Sequence, residues 1–269
     1  MISPLAYVHP DARIGNDVRI EPFAVIHEDV TIGDNTHIMS HAVVMDGSVI
    51  GKNCSIFPGA VIGGIPQDLK FIGEKTTAEI GDNTTIREFV TINRGTKDKE
   101  KTVVGRSCLI MAYCHLAHDC IVGDNVIMSN NTQVAGHVTV GDCAILGGMC
   151  AIHQFVHIGQ HSMLSGGSLV GKDVPPYIKA ARNNPLSYAG VNSIGLKRRG
   201  FTLEKINHIL EIYRVIYGKG LNISQAVEYL EEEFAATDER DEIVQFIRSS
   251  QRGIIKRFSK TNGDEGIVD

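Results

Sequence analysis

The stretch VTIGDNTHIMSHAVV, Val30 to Val44, carries an aliphatic residue at every sixth position: Ile32, Ile38 and Val44. Neither an α-helix nor an ordinary strand repeats every six residues, but a short strand followed by a turn does. Working outward, the register holds from Ile2 to Val170, with an aliphatic residue or Met at twenty-six of twenty-nine positions. The exceptions are Asp68, Glu74 and Asp98. Glycine often follows the aliphatic, as in Ile32-Gly33-Asp34-Asn35 and Val122-Gly123-Asp124-Asn125. Gly, Asn and Asp supply the positive-φ conformations that sharp corners need. The fourth residue after the aliphatic is small or branched (Val18, Ala24, Val30, Ala42, Val126, Ala144), which marks a second inward position. One hexad cannot bury its aliphatic alone, so coils must stack around a continuous core. Each buried aliphatic contributes roughly 1.5–3 kcal/mol, enough in sum to offset much of the ordering entropy. The sequence therefore predicts an all-β parallel β-helix over residues 1–176.

Gly63 to Glu79 and Asn93 to Val103 lose the pattern and carry polar residues, so they are expected to loop out of the coil. Beyond Pro175-Pro176 the hexads stop, and residues 177–269 read as a linker and an α-helical C-terminal domain. Leu203, Ile206, Ile209, Leu210, Tyr213 and Ile216 follow helical spacing behind Thr202, a suitable N-cap. Ala226 to Ala235 and Ile243 to Ile247 look like further amphipathic helices. With 43% hydrophobic and 21% charged residues and a net charge of −5, the chain is not a generally basic nucleic-acid binder. The amino terminus has no basic and apolar leader, and no apolar run approaches membrane-spanning length, so no stable membrane insertion is expected. That reads as a soluble, cytoplasmic protein.

Six cysteines invite a metal or disulfide reading. The register opposes it, because Cys54, Cys108, Cys114, Cys120 and Cys150 all fall in the small inward slot, where cysteine acts as a small hydrophobe. Only Cys143 is out of phase. The histidines differ: His115, His118, His137 and His153 occupy neither inward slot and should project out of the coil. Three hexads complete one coil, so residues eighteen apart should stack, about 4.8 Å from each other. Asp119 then stacks on His137, and His118 shares a column with Gly136 and Gln154. A zinc site is possible on such a scaffold, but no two of these histidines share a column. The adjacent Asp119 better suits orientation of an imidazole that acts as general base. General base is the first reading and metal the second.

Several segments together resemble the acyl-carrier-protein-dependent UDP-N-acetylglucosamine O-acyltransferases, which open lipid A synthesis. They are Gln67-Asp68-Leu69-Lys70, His115-Leu116-Ala117-His118-Asp119-Cys120, Ala135-Gly136-His137-Val138, His153-Gln154-Phe155, Asp173-Val174-Pro175-Pro176-Tyr177 and Gly195-Leu196-Lys197-Arg198-Arg199-Gly200-Phe201. The resemblance runs in order along the chain and implies a left-handed β-helix in a homotrimer, with active sites between subunits. It implies transfer of a 3-hydroxyacyl group from acyl carrier protein to the sugar 3-hydroxyl, without cofactor or metal. His118 would be the general base, Asp119 its orienting partner, and the Gly136 N–H the donor to the thioester oxyanion. Gln67, Asp68, Lys70, His115, His137 and Gln154 would hold the sugar and phosphates, and His153 would line the site. Asn192, Arg198 and Arg199 would hold the nucleotide. Gly148 and Gly166, one coil apart, would leave a groove for the acyl chain, Gly166 setting its length. Ile194 and Asn93 depart from the family, which often has glutamate and histidine there. The acidic carrier protein is expected to dock on the helical tail around Lys256 and Arg257.

Two other readings share the fold. A γ-carbonic-anhydrase-like metal hydratase gives the Gln67–Lys70 and Gly195–Phe201 segments no role. A purely structural β-helix needs no outward His/Asp/Gln group on neighbouring coils. The sister N-acyltransferases carry a domain before their hexads, whereas here the hexads begin at residue 2.

Overall fold

The computed structural model describes residues 1–181 and 185–258. Short strands at the hexad aliphatics form three parallel sheets, the faces of a triangular prism. The first face runs from Tyr7–Val8 to Leu169–Val170, the second from Arg13–Ile14 to His157–Ile158, and the third starts at Arg19–Ile20. Partners stand eighteen residues apart, as in Ile14↔Ile32 and Leu116↔Val134. From Val18 to Val170, outside the inserted loops, both inward slots are buried, while on the first coil Ile2 is exposed and Val8 and Ile14 are partly buried.

The corners use positive φ more broadly than Gly, Asn and Asp alone: Phe23, Tyr113, His137 and Met149 stand at φ 65, 62, 62 and 61. None of the non-glycine residues there is β-branched, the class for which that region is most strained. The five cysteines of the small slot are buried, and all six are free thiols. Burial raises Cys120 to about 12, and Cys108 and Cys114 to about 11, so these thiols are filler rather than nucleophiles.

The two interruptions are shorter than the sequence suggests. Strands Val61–Gly64 and Thr77–Ile80 leave only 65–76 outside the coil, and Thr91–Asn93 and Lys101–Val104 leave only 94–100. Across them Ile50 pairs with Ile80, thirty residues on, and Ile92 with Leu116, twenty-four on. Subtracting the normal eighteen leaves insertions of twelve and six, both multiples of the hexad. The register therefore survives, and Asp68, Glu74 and Asp98 are its three inserted positions. The loops pack together, with the Arg94 guanidinium 5.5 Å from the Phe71 ring centroid.

After the prism come helices α1 (Ser193–Arg198), α2 (Leu203–Gly218), α3 (Ile223–Glu233) and α4 (Asp238–Ser249). Thr202 caps α2 as expected, its hydroxyl accepting the Lys205 N–H. Helices α3 and α4 start earlier than their apolar patterns suggest, at caps supplied by Asn222 and Thr237. The tail is not purely helical. Ile178–Ala181, Ser187–Val191 and Lys256–Arg257 extend the third face to eleven strands. They escape the hexad count because Lys179 pairs with Met163, sixteen residues back. Among the described residues no helix is long and apolar enough to cross a membrane.

Candidate active site

Ala117 to Asp119 form a corner between the first and second faces, and the inserted loop 94–100 folds down over it. The sequence expectation of outward histidines is half right. His118 and His137 do leave the prism core, yet the loop leaves them only 7% and 9% exposed, and Asp119 0%. Asp119 Oδ1 accepts the N–H groups of Thr96 (2.9 Å) and Lys99 (3.3 Å). Its Oδ2 accepts the Thr96 hydroxyl at 2.6 Å and lies 2.8 Å from His118 Nδ1. Burial pushes this carboxyl up, but the Thr96 hydroxyl, His118 and the Thr96 N–H outweigh it and leave its pKa below the usual aspartate value. An ionised carboxylate only accepts, so Nδ1 of His118 carries the proton and Nε2 offers its lone pair.

The His118 ring lies over Gly136. A Cβ at 136 would stand 2.7 Å from Cε1 and 2.8 Å from Nε2, so only glycine fits beneath the imidazole. Among the described residues the Gly136 N–H has no hydrogen-bond partner. His137 meets His118 edge-on at 5.1 Å and stacks on Phe155 at 4.6 Å. Asp98 Oδ2 approaches His137 Nδ1 to 3.1 Å without hydrogen-bond geometry, so the two form an ion pair only when the imidazole is protonated. Burial lowers the pKa of His137, against the pull of Asp119.

Sequence reasoning ranked a metal second, in part because no two of the four histidines share a column. That reason fails, since one potential ligand atom each from His118, Asp119 and His137 lie within 4.8 Å of one another. The donor set speaks against a metal instead. Four hydrogen bonds already occupy the two Asp119 oxygens, and Nδ1 of His118 is engaged on one of them.

On the first face, running from this corner toward the C-terminal end of the prism, lies an apolar groove of about 750 Å³, lined by His115, Ala117, Ala135, His153, Leu169 and Leu186 among others. His115 Nδ1 is bonded to the Thr91 hydroxyl at 2.7 Å, and burial lowers its pKa. On the other side of the corner a polar hollow of about 520 Å³ joins Asp68, Lys70, Thr96, Asp98, His137 and Phe155. Gln67 is exposed on the same 65–76 segment, and the Gln154 carbonyl accepts from His153 Nδ1 at 3.0 Å. The predicted nucleotide residues lie elsewhere. Asn192 caps α1 and donates to the His161 carbonyl at 2.9 Å, while Arg199 lines a hollow of about 580 Å³ with Cys143 and His161 at the second–third corner. Arg198 is exposed in the last turn of α1. Gly148 and Gly166 stack as predicted, a Cβ on Gly166 standing 3.1 Å from the Gly148 carbonyl oxygen, but neither lines the apolar groove.

The sequence missed Thr96, Lys99 and Thr91. Asp98 left a signal as a break in the register, but nothing in the local pattern points to Thr96.

The family model described as UDP N-acetylglucosamine O-acyltransferase, domain 2, matches residues 173–255, and the bacterial transferase hexapeptide model matches 29–64 and 101–136. The acyl-[acyl-carrier-protein]–UDP-N-acetylglucosamine O-acyltransferase of Burkholderia orbicola (strain MC0-3) is 48% identical over 202 residues, 73% of this chain and 77% of that protein. The chain belongs to the UDP-N-acetylglucosamine O-acyltransferase family. It is an acyltransferase. The crystal structure of the Bacteroides fragilis UDP-N-acetylglucosamine acyltransferase superposes with TM-score 0.93 at 52% identity, over 95% of this chain and 100% of the other. That of the Francisella novicida UDP-N-acetylglucosamine acyltransferase gives 0.93 at 42%, over 95% and 94%. Hexads, parallel faces and these structural neighbours of the acyltransferase together fit the left-handed coil sense expected from the resemblance.

Proposed function

We propose that the protein transfers a 3-hydroxyacyl group from acyl carrier protein to the 3-hydroxyl of UDP-N-acetylglucosamine, the opening step of lipid A synthesis, in the cytoplasm. The buried His118–Asp119 pair, set over Gly136 between an apolar groove and a polar hollow, carries this reading. Nε2 of His118 takes the proton of the sugar hydroxyl as its oxygen attacks the thioester carbonyl. The Gly136 N–H stabilises the tetrahedral oxyanion. Collapse expels the carrier thiolate, which takes the proton back from His118. Asp119 holds the imidazole in the required tautomer and stabilises the imidazolium that forms.

Asp68, Lys70 and His137 in the polar hollow, with Gln67 and Gln154 nearby in sequence, hold the sugar and phosphates. His115 and His153 line the groove side. Asn192, Arg198 and Arg199 hold the nucleotide from a second copy of the chain, because in one copy Arg199 opens on a different corner from His118. A homotrimer supplies that geometry. Its support is a ridge of exposed apolar residues on the third–first corner, including Phe23 (54%), Phe89 (53%) and Tyr113 (53%), Phe89 and Tyr113 being stacked at 5.3 Å. Gly148 and Gly166 continue the same corner, so the glycine column of one copy would close the groove of the next.

Incubation with UDP-N-acetylglucosamine and a series of hydroxyacyl carrier proteins, with mass analysis of the product, tests the proposal. A product heavier by one hydroxyacyl group is expected, and no adduct with any donor would sink it. A metal hydratase instead would retain stoichiometric zinc through dialysis.

A further inference from the structure

The inserted loop 94–100 does more than cover the site. Thr96, 8% exposed, delivers both its backbone N–H and its hydroxyl to the Asp119 carboxylate, one to each oxygen. Its own position is fixed from the loop: its carbonyl accepts the Glu100 N–H at 2.8 Å, and its hydroxyl oxygen accepts the Asp98 N–H at 3.3 Å. Lys99 closes the grip, its backbone N–H on Oδ1 and its Nζ on the Asp119 carbonyl at 3.2 Å. From below, the Thr102 hydroxyl accepts the Asp119 N–H at 2.9 Å. The carboxylate cannot rotate without breaking two bonds to one residue.

We propose that Thr96 is a positioning residue for the acyl transfer: it fixes the Asp119 carboxylate so that Oδ2, beside the Thr96 hydroxyl, holds the Nδ1 proton of His118, leaving Nε2 aimed over Gly136 as the base. The inference rests on the His118–Asp119 reading of the reaction. In physical terms, a carboxylate held by one charge-assisted bond fewer has more rotational freedom, and the imidazole loses its single orientation. The charged or titratable groups facing Asp119 are His118 on its own corner, His137 on the coil above, and Lys99 in the loop; Asp98 in the loop faces it only through His137. Of the donors to the carboxylate, only the Thr96 hydroxyl can be removed by a nearly isosteric substitution.

Thr96→Val deletes the hydroxyl and keeps the N–H, and Thr96→Ser restores it. Thr96→Val should lower kcat by about tenfold or more, as loss of a hydrogen bond to a charged group does. Thr96 lines the polar hollow, but its hydroxyl is already engaged on Asp119 and the Asp98 N–H, so both KM values should stay within about twofold of the parent. The acid limb of its rate–pH profile should move to higher pH, because Asp119 loses a donor that holds its carboxyl down. Thr96→Ser should recover most of the rate and the profile. A Thr96→Val protein with parental kcat, a loss that serine does not rescue, or a loss confined to KM or to thermal stability would overturn the assignment. If valine prevents folding, Thr96→Ala read against Thr96→Ser gives the same comparison without added bulk. His118→Ala is assayed beside them. If it stays active, the reaction reading has failed and this inference with it; if it is dead while Thr96→Val is normal, only this inference has failed.

Discussion

Three of the four hydrogen bonds on the Asp119 carboxylate come from fixed loop donors, and the fourth comes from the imidazole that must move a proton. His118→Ala should therefore lower turnover by roughly 10²–10⁴-fold with the melting temperature nearly unchanged, measured by steady-state assay and thermal unfolding. Near-parental activity would remove His118 from the mechanism. Asp119→Asn should cost less in turnover, because it spares the imidazole, but more in stability, because an amide NH₂ must now face N–H or O–H donors. A second titration belongs to His161, whose pKa burial and the neighbouring Arg199 pull down to about 4. The folded state then binds fewer protons than the unfolded chain between about pH 4 and 6.5, so stability falls as pH drops through that window. The loss attributable to His161 should be on the order of 2 kcal/mol, less than the full shift implies because the ring is only half-buried and solvent screens it, and His161→Asn should flatten the curve there. Parallel unfolding curves for the two proteins would show that this imidazole is not held neutral. Phase put His118 and Asp119 on the outside of the coil and Gly136 in the His118 column, while the role of Gly136 was implied only by the family resemblance. Thr96 was illegible, because a contact between residues twenty-three apart depends on how a loop folds back, which periodicity does not encode.

At the level of elements, hexads are readable because each carries its own core residue and its own corner, so pattern and burial coincide coil by coil. The loops' true bounds were hidden by the same rule: insertions of whole hexads keep the count of six, while strand pairing at Thr77–Ile80 and Lys101–Val104 reaches into segments whose composition looks polar. The tail hid three strands because they continue the third face after the repeat has lost its eighteen-residue spacing. That correction changes the setting of Lys256 and Arg257, expected on the helical tail. They lie on an exposed edge strand paired with Ser187 and Tyr188, following Ile255 at the rim of the apolar groove. A basic edge beside the groove mouth suits an acidic carrier protein whose prosthetic arm must enter it. Reversing both charges to Glu should raise KM for the carrier-protein donor several-fold, more at low salt than at moderate salt, and leave KM for the UDP-sugar alone. Donor kinetics unchanged at both salt concentrations would place the docking surface elsewhere.

For the molecule as a whole, the prism is a rigid rod whose corners and faces run its full length, so a groove between copies can be tuned at one coil without disturbing the rest. Of the glycines at the third–first corner, Gly147, Gly148, Gly166 and Gly167 on two successive coils show which of them the backbone itself demands. Gly167 stands at φ +71, and a Cβ on Gly147 would lie 2.5 Å from the Gly166 nitrogen, so both are required by the turn. Gly148 and Gly166 are held less strictly: neither has a positive φ, and the nearest contacts to an added Cβ, at 3.2 and 3.1 Å, are backbone carbonyl oxygens of the preceding coil that would have to give by a few tenths of an ångström. Turn chemistry therefore does not by itself account for them, and on the proposed reading the missing side chains leave a groove along the outside of the rod. In the proposed trimer that space faces the neighbour's groove and receives the far end of the acyl chain, which predicts a preference for long 3-hydroxyacyl donors. Gly166→Met should fold normally, fill the column and shift the preference to shorter chains, each methylene excluded forfeiting roughly 0.8 kcal/mol. Donors of several lengths competed in one reaction, with products ranked by mass, give the comparison directly. The same ranking in both proteins would mean that the chain end lies away from this corner.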